Sequence, residues 1–231
     1  PTAFLDGDGV LCVGQNGSVP INIDLTGSGP WEVSYTLDGV EQTLITTSND
    51  QYVLNVSEVG TYNLLSVTDL NNTCVGSVSG SSIVTETTVD FSLGITDLSC
   101  FDDQSGEIDV LVNTGTSPFL YDWSVAGVLG NNPTGLDAGE YSVTVTDSDG
   151  CISSASTTID QPDAIQIDIT DIVDINCFEP VASAIVSASG GTGQIYTFDW
   201  SNGDAGNQFN SVVPGDFEVS VTDENNCLQT A

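Results

Sequence analysis

The 231-residue chain contains no lysine, arginine, histidine or methionine, while 33 residues are Asp or Glu, so its formal net charge is −33. Ordinary soluble chains devote about a quarter of their residues to the four charged types together; here one sign is missing altogether. Each absence removes a class of chemistry. Without Lys or Arg nothing displaces counterions from phosphates, which excludes nucleic acid as a partner and docking on an anionic membrane surface. Without His there is no Ser-His or Cys-His pair and no imidazole metal site. Without Lys there is no Schiff base and no Lys–Asn isopeptide staple. No apolar run approaches the ~18 residues of a membrane span. There is no initiator Met and no signal peptide, and the expectation is a mature or excised piece of a longer protein. Oxygen chemistry survives: carboxylates, amides, hydroxyls and backbone groups.

What is present is a repeat. Ser66-Val67-Thr68-Asp69, Val145-Thr146-Asp147 and Val221-Thr222-Asp223 each lead into a cysteine, at Cys74, Cys151 and Cys227. Upstream lie the steps Gly60-Thr61-Tyr62, Gly139-Glu140-Tyr141 and Gly215-Asp216-Phe217, and before those the aromatic segments Trp31–Tyr35, Phe119–Trp123 and Tyr196–Trp200. Cys12, Cys100 and Cys177 open the units. Opening cysteines are 88 and 77 residues apart and closing ones 77 and 76, which is tandem spacing with extra length inside the first unit. Tyr141, Val143 and Val145 alternate with Ser142 and Thr144; Ile165, Ile167, Ile169 and Val89, Phe91, Leu93, Ile95 repeat that period of two, the mark of half-buried strands. No helical period is found, and an apolar content of 39% suffices for packed cores.

The expected fold is therefore all-β, three tandem β-sandwich domains spanning 1–86, 87–162 and 163–231. Two local features follow. Tyr62 to Asp69 holds one residue more than Tyr141 to Asp147, which predicts a β-bulge in the first repeat. Leu136–Tyr141 and Glu58–Tyr62 read as tyrosine corners, in which a Tyr hydroxyl bonds back to upstream backbone; Phe217 lacks the hydroxyl. Tyr35, Trp123 and Trp200 are expected to plug cores and not to form ligand platforms. The repeat also pairs the cysteines one bridge per domain, Cys12–Cys74, Cys100–Cys151 and Cys177–Cys227, each worth ~4 kcal/mol in the chain-entropy model, in a compartment outside the reducing cytosol. Metal thiolate sites are the alternative, but the close CxxC spacing they use is absent.

Taken together, Leu136-Asp137-Ala138-Gly139-Glu140-Tyr141, Asp147-Ser148-Asp149-Gly150-Cys151 and Ile159-Asp160-Gln161-Pro162 resemble the SprB-type repeat of Bacteroidetes cell-surface adhesins and filaments. The first and third copies diverge, lacking the Ile-x-Gln-Pro end and the Asp-Gly before cysteine. The resemblance implies an immunoglobulin-like sandwich, export to the bacterial cell surface, a structural role and no catalytic residues.

Acidic clusters at Asp6 and Asp8 and at Asp147 and Asp149 are the candidate calcium ligands, since calcium takes six to eight oxygens; hairpin turns explain the same Asp-Gly strings. No other cofactor is expected. A glycosidase-type carboxylate pair lacks a legible cleft, and no enzyme activity is expected. The sequons at Asn16, Asn55 and Asn71 carry little weight in a bacterial protein, while abundant Ser and Thr leave O-glycan modification open without fixing sites.

The ends carry a sharper expectation. Twenty-five residues separate Cys74 from Cys100 and Cys151 from Cys177, yet four follow Cys227 and eleven precede Cys12. The third repeat is expected to lack its final strand, leaving an edge that a neighbouring copy completes by β-augmentation. Pro1, Thr2, Ala3, Phe4 and Leu5 at one end and Leu228, Gln229, Thr230 and Ala231 at the other are the candidate assembly residues. Such a head-to-tail contact propagates instead of closing. A fragment cut mid-repeat from a longer adhesin is the other reading. The expected function is an extracellular structural protein, a subunit or repeat segment of a surface filament; the rival is an adhesin module that binds a glycan or receptor with calcium. One outcome follows from composition alone. Prolonged trypsin treatment of the reduced, denatured chain is expected to leave a single full-length band by gel electrophoresis, and any fragment would contradict it.

Overall fold

The computed structural model describes residues 1–178 and 181–231. All regular structure among them is β, in twenty-two strands without a helix. The chain divides into two compact units, one made of Pro1–Phe91, Val112–Tyr121 and Thr144–Ser154, the other of Ser92–Leu111, Asp122–Val143 and Ala155–Ala231. The span 87–162 contributes to both units.

In the first unit the chain runs through β1 (Thr2–Asp6), β2 (Gly9–Cys12), β3 (Val19–Thr26), β4 (Trp31–Leu37), β5 (Val40–Glu41), β6 (Ile45–Thr47), β7 (Gln51–Val56), β8 (Gly60–Asp69), β9 (Cys74–Val75) and β10 (Ser77–Thr87). They form a ladder of order β5-β4-β8-β10-β1-β3-β7, with β2 on β10, β6 on β4 and β9 on β8. Strict alternation drives the layering. On β3, Val19, Ile21, Ile23 and Leu25 point inward while Pro20, Asn22, Asp24 and Thr26 face water. They meet Ala3 and Leu5 from β1 and Trp31, Val33, Tyr62, Leu64, Val67 and Val84 from the strands of the opposite face in one apolar core. β10 serves both faces. Its residues Ser77–Gly80 pair in parallel with β1, and Ser81–Val84 pair antiparallel with β8. The switch falls at Gly80, whose φ is 85° and where an added Cβ would lie 2.1 Å from the Leu5 carbonyl oxygen; only glycine permits that approach.

Two expectations are resolved here. The extra residue of the first repeat is Leu65: Ser34 pairs with Ser66 and Tyr35 with Leu64, so Leu65 is unopposed and bulges to solvent, 52% exposed. Pro1 to Leu5, expected to engage a neighbouring copy, are built into their own sheet instead. β1 is hydrogen-bonded on both flanks, to β3 and β10, because the alternation Ala3, Leu5 supplies an inward face of its own, 2% and 1% exposed.

The middle of the chain forms β11 (Asp90–Thr96), β12 (Gly106–Thr114), β13 (Leu120–Trp123), β14 (Thr134–Leu136), β15 (Gly139–Thr146) and β16 (Ile152–Ile159), arranged as sheets β11-β12-β14 and β13-β15-β16. The last stretch adds β17 (Asp163–Val173), β18 (Ala182–Gly191), β19 (Thr197–Trp200), β20 (Gln208–Ser211), β21 (Val219–Thr222) and β22 (Leu228–Thr230), in sheets β17-β18-β20 and β19-β21-β22. Ile165, Ala184, Val186 and Phe209 from one sheet and Trp200, Val219 and Val221 from the other make its core. Leu228, Gln229 and Thr230 pair with Thr222, Val221 and Ser220, Ala231 bonds Val219 in both directions, and β22 ends its sheet.

The contrast between two aliphatic side chains tests this layering. Ile21→Ala is expected to lower the unfolding free energy of the first unit by about 2–5 kcal/mol, whereas Leu65→Ala should stay within about 0.5 kcal/mol, as read from urea denaturation followed by circular dichroism. Equal losses would contradict the assignment of Leu65 to the bulge.

Candidate functional site

The recurrent Val-Thr-Asp string ends each corner strand with an aspartate that is buried: Asp69, Asp147 and Asp223 are 2%, 4% and 6% exposed. A buried carboxylate in a chain without a cationic side chain is stable only if hydrogen-bond donors surround it. At Asp147, Oδ1 accepts the backbone N–H groups of Asp149 at 3.0 Å and Cys151 at 2.9 Å, and Oδ2 accepts that of Thr116 at 3.1 Å. Asp223 repeats the arrangement: Asn225 and Cys227 donate to Oδ1 at 3.0 and 2.9 Å, and Thr192 gives both its N–H, at 2.7 Å, and its hydroxyl, at 2.9 Å, to Oδ2. Gly191 must precede Thr192, since a Cβ there would sit 2.5 Å from Asp223 Oδ2. Burial alone would push the Asp223 carboxyl upward; the bonds from Thr192, Cys227 and Asn225 outweigh it, and its pKa lies below the ordinary 3.8. In the first repeat the turn is one residue longer. Asp69 accepts from Asn71 N and Asn72 Nδ2, and Cys74 N goes to Asn72 Oδ1 at 3.0 Å.

These turns present the closing cysteines, and the bonds they make correct the expected pairing. Cys12 is joined to Cys151 and Cys100 to Cys227, with Cα separations of 5.2 and 5.5 Å; Cys74 and Cys177 are free and exposed. Each bridge runs from the opening cysteine of one repeat to the closing cysteine of the next. The reason is strand polarity. Cys12 lies opposite Thr87, the last residue of β10, whereas Cys74 lies opposite Asp69, just before β10 begins. The eleven residues of β10 extend over roughly 30 Å, far beyond the ~7 Å that a disulfide tolerates between Cα atoms. A side-chain amide reinforces each bridge: Gln15 Nε2 donates to the Ile152 carbonyl at 3.2 Å, and Asn225 Nδ2 to the Ser99 carbonyl at 3.3 Å. The opening cysteine of the second bridge is itself held by an acid, Asp103, whose Oδ2 accepts from Cys100 N at 2.9 Å.

The tyrosine corners form as expected. Tyr62 donates to the Glu58 carbonyl at 2.8 Å and Tyr141 to the Asp137 carbonyl at 2.9 Å. Burial, followed by the Glu58 charge for Tyr62 and the Asp137 charge for Tyr141, holds both phenols above their ordinary 10.0, so both remain donors at neutral pH. At the third corner the Phe217 ring packs on Phe209, centroids 4.6 Å apart, and Phe209 in turn on Trp200 at 4.8 Å. Trp123 and Trp200 are buried and bond Gly130 and Gly206 carbonyls through their indole N–H groups, while Tyr35 is half-buried against the first core. An apolar cavity of about 470 Å³ opens beside Trp200, Phe209 and Phe217, lined also by Ile172, Val213 and Pro214.

Asp6 ends β1, Asp8 Oδ1 accepts Ile83 N at 2.7 Å, and Asp149 is exposed beside Asp147, whose oxygens accept from Asp149, Cys151 and Thr116. Among the described residues no three acidic or cysteine side chains converge as a metal-binding group.

Paired sheets with apolar cores, tyrosine corners and an aspartate-closed turn define immunoglobulin-like sandwich modules. A family model described as the Ig-like domain of nucleoporin POM152 matches residues 3–83, and the SprB repeat model matches residues 93–127 and 169–205. Two stretches of the chain thus match the SprB repeat, after one that matches an immunoglobulin-like domain. None of the curated proteins matches it in sequence. Similar solved structures include Dscam, 13% identical with a TM-score of 0.27, covering 98% of this chain and 70% of that one. A C-terminal intimin fragment, in complex with the intimin-binding domain of the translocated intimin receptor, is 11% identical with a TM-score of 0.39, covering 65% and 60%. Fibronectin(III)-like modules of Clostridium thermocellum CbhA are 14% identical with a TM-score of 0.34, covering 67% and 90%. SprB repeats are a cell-surface adhesin family, and disulfides accord with an extracellular setting.

The buried aspartate generates a pH prediction. Because the folded pKa of Asp223 lies below its unfolded value, its contribution to stability is complete above pH 3.8 and is lost as pH falls through the folded value. Asp223→Asn, which turns an acceptor toward Thr192 into a donor, is expected to cost about 1–3 kcal/mol at neutral pH. It should also flatten the fall in stability of the second unit under acid, measured by thermal unfolding between pH 2 and 6. An acid limb unchanged in the variant would contradict this role.

Proposed function

We propose that the chain is a load-bearing segment of an extracellular bacterial fibre, and that copies associate head to tail with β22 as an available edge. The observation that carries this reading is the overlap of the two disulfide loops. Cys12–Cys151 and Cys100–Cys227 share the stretch 100–151, so between Cys12 and Cys227 any single backbone break leaves the two ends covalently joined. One bridge within each repeat would protect the modules and leave the connections between them exposed. Bridges across the repeats protect the connections, which is where tension or proteolysis would part a string of domains. Each loop, of 139 and 127 residues, is worth about 5 kcal/mol in the chain-entropy model.

The surface fits a fibre in an ionic medium. With a charge of −33 copies repel one another, and physiological salt confines that repulsion to a screening length of ~8 Å, so association rests on backbone pairing and apolar contact, not on salt bridges. Electron microscopy of the purified, oxidised chain at 0.15 M salt is expected to show linear fibres that become fewer as salt is lowered. Discrete particles of single-chain size at every salt concentration would overturn the proposal.

A further inference from the structure

The two observed bridges follow one rule, from the opening cysteine of a repeat to the closing cysteine of the repeat after it. Applied to the remaining cysteines, the rule leaves Cys177, which opens the third repeat, in need of a closing cysteine from a repeat after it. It leaves Cys74, which closes the first, in need of an opening cysteine from a repeat before it. Both thiols are exposed, whereas the bonded closing cysteines Cys151 and Cys227 are 1% and 8% exposed. We propose that Cys177 of one copy forms a disulfide with Cys74 of the next, stapling consecutive copies of this chain; the inference rests on the head-to-tail association proposed above.

Neighbouring residues support the same contact. The residue after each opening cysteine is apolar: Val13, Phe101 and Phe178 are 52%, 49% and 93% exposed. Beside the formed bridge, Phe101 lines a recess with Ala164, Ile165 and Leu228 of the following repeat. Phe178, beside the free Cys177, is bare. At the other end Val75, next to Cys74, is 72% exposed and stands where Ile152 and Leu228 follow the bonded closing cysteines. A large bare aromatic and a bare aliphatic flanking two unbonded thiols present to a second copy what the internal junction already joins. Acidic residues do not oppose the bond by their own proximity at the internal bridges, where Asp103 and Asp223 are turned onto backbone N–H groups.

The chemistry is thiol–disulfide exchange with an external disulfide as oxidant. The thiolate of Cys177 attacks that disulfide and releases one thiol; the thiolate of Cys74 then displaces the second, so two protein thiols become one disulfide while the oxidant is reduced to two thiols. With this bond the overlapping loops continue across the junction, and a fibre of separate chains becomes one covalent strand.

Complementary variants test it. With oxidised glutathione, Cys74→Ser alone and Cys177→Ser alone are each expected to remain monomeric on non-reducing gels. Their equimolar mixture should give a covalent dimer whose proteolytic peptides contain Cys74 linked to Cys177. Dimer formed equally by either variant alone would show symmetric contact and overturn the proposal. Alkylation of the native material provides the second measurement. Fibres of the unaltered chain whose Cys74 and Cys177 both take up iodoacetamide overturn the disulfide and leave head-to-tail association intact. Absence of both fibres and cross-linked mixture overturns the two together.

Discussion

A carboxylate buried without any cation is the constraint on which the rest of this structure depends. Asp147 and Asp223 lie within closing turns, and only N–H and O–H groups are there to receive their charge. Satisfying them dictates the conformation of the next four residues. The fourth is the closing cysteine, whose own N–H is one of the donors. An electrostatic requirement thereby becomes a geometric one: the sulfur is held at one end of the repeat, where the preceding repeat ends. Asp103 performs the matching service at Cys100. The acid-rich composition therefore does more than decorate a surface, since three of its carboxylates organise the turns that carry the covalent links.

From those links follows the mechanical character of the chain. A sandwich of this size has a small core, and a string of them is weakest between modules. Bridges that span module boundaries and overlap in sequence remove that weakness by topology, independently of how strongly any one module is folded. Amide hydrogen bonds from Gln15 and Asn225 fix the same two junctions without charge, as they must in a chain that has no positive partner to offer.

Much of this is legible in the sequence itself. Alternating Tyr141, Val143, Val145 and their equivalents announce strands because burial on one face and solvent on the other imposes a period of two. The single surplus residue between Tyr62 and Asp69 announces the bulge at Leu65, since pairing is counted in whole residues. Glu58–Tyr62 and Leu136–Tyr141 announce corners that a phenol closes on backbone four residues upstream. The fate of Pro1–Leu5 was less legible. The same Ala3, Leu5 alternation that suits a donated strand suits an internal one, and only the open slot between β3 and β10 decides which.

Composition and repeat order by themselves determined the class of fold, the exclusion of cationic chemistry and the position of every cysteine within its repeat. Tertiary structure alone decided which cysteines meet. Equal spacing of opening and closing residues is compatible with a bridge inside each repeat or across each junction, because counting residues says nothing of direction. Direction enters when β10 runs the length of its sandwich and carries the chain from the end that holds Cys74 to the end that holds Cys12. Separated by a strand, those two sulfurs cannot bond, and Cys12 reaches forward to Cys151.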